Sequence, residues 1–110
     1  MQLNTNETGD HLRKDDGKIR FDLIPPEALF ELAKLYSNGA KKYKDRGWEE
    51  GMSWGRCFGA MMRHAWKWMA GEDYDPETEV HHMAAVAWNA FAIFVYHTRH
   101  IGTDDRPNRI

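Results

Sequence analysis

DPETEVHHMAAVAWNAFAIFVY, residues 75–96, is the stretch that decides the fold class. Asp75, Pro76 and Glu77 read as a helix cap, a first-turn proline and an acidic first turn, so a helix is expected to open there. Val80, Met83, Ala84, Ala87, Phe91 and Phe94 recur at helical spacing. The opposite side, with Ala85, Val86, Ile93 and Tyr96, is also largely apolar, and His82 and Asn89 intrude on it two turns apart. A helix apolar all round has to be covered on both sides, and a small chain covers it most readily by self-association. Met83–Tyr96 is too short to span a bilayer, which needs about 20 apolar residues, so a buried helix and no membrane contact are expected.

Upstream, Ser53 is a good cap for a second helix, and Gly71 suits its C-terminal end. Trp54, Phe58, Met61, Met62, Ala65 and Met69 form its main stripe. Cys57, Ala60, His64, Lys67 and Trp68 form a second face. Pro25-Pro26 opens a first helix that carries Leu29, Leu32, Ala33, Tyr36 and Ala40 and ends near Tyr43. Asp45 to Gly51 reads as a loop. Before the first helix, Ile19, Phe21 and Leu23 alternate with charged residues, predicting a short extended arm draped over the helices. The chain is therefore expected to be all-α: a compact bundle of three principal helices with an extended N-terminal arm. Residues 1–10 are polar and expected to be disordered, 11–97 form a single domain, and 98–110 are a polar C-terminal tail.

The 110 residues allow one core, and 42% of them are hydrophobic. A net charge of -2 argues against a nucleic-acid-coating protein. A single cysteine, Cys57, excludes an intrachain disulfide, and the polar N-terminus has no signal-like apolar run, so a cytoplasmic protein is expected.

The strongest chemical cluster is Glu72, Asp73, Asp75, Glu77 and Glu79, whose carboxylates suit Mg²⁺ or Mn²⁺. Asp75, Glu77 and Glu79 are explained by a cap and a helix dipole. Glu72 and Asp73 follow the C-terminal end of a helix, where negative charge is unfavourable, and so point to function. His64 and His82 lie on different helices flanking this loop. Asn89 fits either a helix–helix hydrogen bond or a purine edge. Lys18, Arg20, Lys41 and Lys42 are candidate phosphate clamps or solvated surface. No P-loop, H-E-x-x-H or paired C-x-x-C is present.

Taken together, several segments resemble a family. They are Lys14-Asp-Asp-Gly-Lys18, Arg20-Phe-Asp-Leu-Ile-Pro-Pro26, Asn38-Gly-Ala-Lys-Lys-Tyr43, Gly47-Trp48 and Gly51. Arg63-His-Ala-Trp66, Gly71-Glu-Asp-Tyr-Asp-Pro-Glu-Thr78, and His82 with Ala85 and Asn89 complete the set. Their order and spacing resemble the phage-associated dATP/dGTP diphosphohydrolases, which are similar to the MazG-like, all-α NTP pyrophosphohydrolases. The resemblance implies hydrolysis of a purine (deoxy)nucleoside triphosphate to the monophosphate and pyrophosphate. It also implies a divalent metal, assembly as a homodimer or homotetramer, and action in a host cell's cytoplasm.

MazG-like enzymes carry E-E-x-x-E on one helix and E-x-x-D on the next. Here those places hold Arg63, His64 and Lys67, then Glu79-x-x-His82. The expected metal ligands are therefore Glu72, Asp73, His64 and His82, and the expected catalytic carboxylates are Glu72, Asp73 and Glu79. Lys18, Arg20, Lys41 and Lys42 would clamp the triphosphate, with Trp48 and Asn89 facing the base. The rival expectation is a non-catalytic phage protein that sequesters a nucleotide.

Overall fold

The computed structural model describes residues 17–108. The expected disordered segment 1–10 and the first part of the arm, 11–16, lie outside the described residues. Among those residues the protein has three α-helices and no β-strand: α1 (Pro26–Lys42), α2 (Trp54–Met69) and α3 (His82–Arg99). Among the described residues no helix is long and apolar enough to cross a membrane.

The helix ends follow local chemistry. Pro26 opens α1, where a missing N–H costs nothing, and Lys41 and Lys42 sit in its last turn against the negative end of the dipole. The Ser53 hydroxyl accepts the Arg56 N–H at the start of α2. Gly71, at φ 108, turns the chain just beyond the end of α2.

The third helix opens at His82 rather than at Asp75. Asp75 Oδ1 does accept a backbone N–H two residues on, that of Glu77, at 2.9 Å. The turn then closes on itself. The Asp75 carbonyl accepts from Glu79 at 2.7 Å, and its N–H donates to the Val80 carbonyl at 2.9 Å. Glu79 adopts φ 63, which no right-handed helix continues through. An Asx turn and a helix cap use the same side-chain bond, so the residue pattern alone did not separate them. His81 caps α3 instead, its Nδ1 accepting the Met83 N–H at 3.0 Å.

The arm also departs from expectation. Phe21–Leu23 form a 3-10 turn rather than an extended run, and Ile19, Phe21 and Leu23 remain exposed. Arg20 grips Asp22 through two bonds of 2.7 and 2.8 Å, which favours the turn locally. Asp45–Gly51, expected as a loop, holds another 3-10 turn at Gly47–Glu50.

α3 is central. α2 lies antiparallel on one side, with His64 beside His82 at one end and Trp54 against His97 at the other. α1 lies parallel on another side: Glu31 reaches His81 and Tyr36 reaches Trp88. The line His82, Ala85, Asn89, Ala92 and Tyr96 is the buried face of α3. Its alanines let α2 approach closely, and α2 answers with Cys57 and His64, the face expected to be secondary. The expected main stripe of α2 therefore points partly outward, with Phe58 53% and Met69 63% exposed. Tyr96 is fully buried and donates to the Trp48 carbonyl at 2.5 Å, fixing the 3-10 turn to the core. Burial pushes its phenol up to about 12, so it remains a donor.

α3 includes Thr98 and Arg99, and the polar residues beyond it fold back onto α2. Trp54 donates its N–H to Thr103 and its indole N–H to Ile101. The Asp105 carboxylate accepts from the Ser53 hydroxyl at 2.7 Å and the Gly55 N–H at 2.8 Å. A side chain at position 55 would meet that carboxylate at 2.8 Å. These two bonds, the Ser53 hydroxyl first, hold the Asp105 carboxyl below its usual range. A depressed carboxyl contributes stability that is present above its unfolded value, about 4, and lost as pH falls through the folded value. Asp105→Ala is expected to lower the melting temperature at pH 7, with a gap from wild type that narrows below about pH 4. A gap that does not change with pH would contradict this docking.

Candidate functional site

The end of α2, the loop 70–81 and the first residue of α3 converge on one imidazole. His82 is fully buried. Its Nε2 lies 2.7 Å from Glu72 Oε1, and its Nδ1 lies 2.9 Å from His64 Nδ1. Its backbone N–H donates to the Asp73 carbonyl at 2.9 Å. Asp75, also buried, places Oδ2 4.0 Å from His64 Nδ1 while Oδ1 serves the turn. One ligand atom each from His64, Asp75 and His82 lies within 4.8 Å of the others.

Proton placement follows from the partners. The Glu72 carboxylate accepts, so His82 Nε2 carries the hydrogen. In the neutral ring the lone pair is then on Nδ1, facing His64. Burial, with the His82 ring and the Lys67 and Arg63 charges, holds His64 below the usual histidine range, opposed by the Asp75 carboxylate. Burial thus favours the neutral form of His64, whose hydrogen sits on the Nδ1 that donates to His82; a metal entering between the rings would displace that hydrogen to Nε2.

The structure brings together three of the expected residues: His64, His82 and Glu72. Asp73 contributes its carbonyl, and its side chain is exposed. Glu79 is exposed on the same loop. Lys18 and Arg20 lie in the exposed segment before α1. Because α1 meets His81 at Glu31, Lys41 and Lys42 are carried roughly 15 Å along α1 from that end. Lys42 lines a groove between α1 and α3 together with Trp48, Trp88 and Arg99. Trp48 packs on Tyr36, Trp88 and Tyr96. Asn89 is buried, and its amide donates to the Ala85 carbonyl of its own helix.

Four contributors escaped the sequence reading. Asp75 was accounted for as a cap, although a carboxylate using one oxygen in a turn still has another to offer. Glu31 accepts the His81 N–H at 2.8 Å, which draws its own carboxyl below the usual range and ties α1 to the loop. Arg63 and Lys67 flank His64 closely enough to act on its charge. Asp75→Ala removes both turn and site contacts and is expected to cost about 1–3 kcal/mol of stability. Asp75→Asn keeps an acceptor for Glu77 and is expected to melt close to wild type. Equal loss in the two variants, measured by denaturant melts, would show that Oδ1 is not what holds the loop.

The geometry can be set beside known proteins. Residues 8–106 match the family described as dATP/dGTP diphosphohydrolase, N-terminal. The chain is 32% identical over 95 residues to a protein of Salmonella phage PMBT28 named dATP/dGTP diphosphohydrolase. That alignment covers 86% of this chain and 32% of the phage protein, so the chain spans about a third of that relative's length. No solved structure matches. With nearly its whole length matched, the chain belongs to the dATP/dGTP diphosphohydrolase family, in the part described as N-terminal.

Proposed function

We propose that the protein hydrolyses a purine deoxynucleoside triphosphate, dATP or dGTP, to the monophosphate and pyrophosphate, with a divalent metal. The observation that carries this reading is the family match along nearly the whole chain. The His64–Asp75–His82 group supports it by offering three donors at the edge of a loop, with cations beside them. The reading includes a MazG-like helical arrangement.

The donors fit a divalent ion: two imidazole nitrogens and a carboxylate oxygen, with a second carboxylate behind one ring. Such an ion would supply positive charge against phosphate oxygens and polarise a water. The chain's own residues do the rest. Arg63 and Lys67 face the triphosphate as point charges and a fork. Glu72 holds His82 in one tautomer. Glu79, exposed on the rim of the same loop, takes a proton as the water oxygen bonds to the α-phosphorus and the bond to the bridging oxygen breaks, releasing pyrophosphate. Lys41, Lys42 and Trp48 reach this centre only if a second copy brings them there.

Assembly is part of the proposal. Leu29 and Phe30 on α1, Phe58 and Met69 on α2, and Phe91 and Phe94 on α3 are all about half or more exposed. Apolar surface this extensive marks an interface. A homodimer or homotetramer covers it.

Incubation with dATP and dGTP, with and without Mn²⁺, followed by chromatography, is expected to yield monophosphate and pyrophosphate only with metal. Retention of nucleotide without product would favour a sequestering protein, and turnover untouched by EDTA would remove the metal. Light scattering at micromolar concentration is expected to give a dimer or larger, and Phe58→Glu with Phe94→Glu a helical monomer. A monomeric wild type would contradict the assembly.

A further inference from the structure

We infer that His64 Nδ1, His82 Nδ1 and Asp75 Oδ2 form a three-ligand site for a divalent ion, zinc ahead of manganese and both ahead of magnesium, with Glu72 acting behind His82 as a positioning residue. The assignment rests on the nucleotide reading for its catalytic purpose, and its test does not.

The distances suit an ion of this class. Metal–nitrogen bonds of about 2.0–2.1 Å at a tetrahedral centre put neighbouring donors roughly 3.3 Å apart. The two Nδ1 atoms are 2.9 Å apart, and Asp75 Oδ2 is 4.0 Å from His64 Nδ1. These two separations differ from that spacing by about 0.4 and 0.7 Å, and the third, between His82 and Asp75, is within 4.8 Å, so the donors have to close by up to about 1.5 Å to grip an ion.

A simple N–H···N bond would also bring two imidazoles this close, so two further features carry the argument. One is Asp75. Its turn needs only Oδ1, yet a second oxygen lies 4.0 Å from His64 Nδ1 on a buried residue. The other is Glu72, whose 2.7 Å bond to Nε2 leaves the His82 lone pair on the nitrogen facing His64. A carboxylate behind a ligating histidine, fixing its tautomer and ring, is the usual outer arrangement at such sites.

Donor chemistry sets the ion. Imidazole nitrogens suit zinc best; manganese leans to oxygen but accepts imidazole more readily than magnesium, which holds to an oxygen octahedron. The side chains of His64 and Asp75 keep 24% and 12% of their surface exposed, so the site opens on one side. Three protein ligands and an open position are what a site that admits water or a phosphate oxygen needs, rather than a closed structural one.

The test is metal binding without nucleotide. After chelation and dialysis, wild type titrated calorimetrically with Zn²⁺, Mn²⁺ and Mg²⁺ is expected to take one Zn²⁺ per chain tightly. Mn²⁺ should bind more weakly, and Mg²⁺ should not saturate at millimolar concentration. Co²⁺ should give a visible absorption band that is absent in His82→Asn and Asp75→Asn. Glu72→Gln should keep the stoichiometry while weakening affinity about 10–100-fold. Circular dichroism confirms that each variant is folded, and His64→Gln repeats the test where another fails to fold. Zn²⁺ binding that survives loss of these ligands, or its absence in wild type, overturns the site. Binding with no nucleotide turnover leaves the site standing and removes the proposed reaction. Turnover that persists in variants that have lost Zn²⁺ binding leaves the reaction and removes the catalytic role assigned to the site.

Discussion

A fully buried imidazole at the first position of a helix has to be satisfied at both ring nitrogens and at its backbone N–H. His82 imposes that requirement, and the surrounding structure answers it. Glu72 must come out of the α2 terminus and turn back at Gly71, and the Asp73 carbonyl must reach the His82 N–H. His64 must lie one ring away. An unsatisfied buried polar group costs about 1–3 kcal/mol, so these partners settle where α2 ends and where α3 begins. The left-handed Glu79 and the Asp75 turn are then the path left for the chain between two fixed points.

From that end the two helices run together along a narrow seam. Ala85 and Ala92 on α3 and Cys57 on α2 are small enough for close approach, and Tyr96 closes the far end by its bond to the Trp48 carbonyl. A seam of small residues leaves the large apolar side chains elsewhere. That is why Phe58, Met69 and Phe94 are on the outside, and it supplies the physical reason for proposing assembly. The same seam places the ionisable cluster at one end of the bundle and the aromatic groove of Tyr36, Trp48 and Trp88 towards the other.

Much of the fold was legible. Periodicity located all three helices, Pro26 and Ser53 marked two starts, and Gly71 marked one end. Periodicity failed where two structures share one local bond: Asp75-Pro76-Glu77 satisfies a cap and an Asx turn equally, and only the left-handed Glu79 and the demand of His82 select the turn. The choice between the two faces of α2 was also not legible, because hydrophobicity ranks Phe58 and Met69 above Cys57, whereas close helix approach ranks them below it. In the site, Glu72 was readable as a charge at the unfavourable end of a helix, and His64 and His82 as histidines on two helices flanking the acidic loop. Asp75 was hidden behind its structural duty. The separation of Lys41 and Lys42 from His82 depends on α1 lying parallel to α3, which no local pattern encodes.

The central claim is that Glu72 holds His82 so that its Nδ1 lone pair faces the Nδ1 of His64. Nitrogen-15 NMR of the histidine side chains reads this directly. The account predicts the His82 hydrogen on Nε2, and a shift of both Nδ1 resonances, His64 and His82 together, on adding one equivalent of Zn²⁺. A His82 hydrogen on Nδ1, or Nδ1 resonances that zinc leaves unmoved, would contradict it.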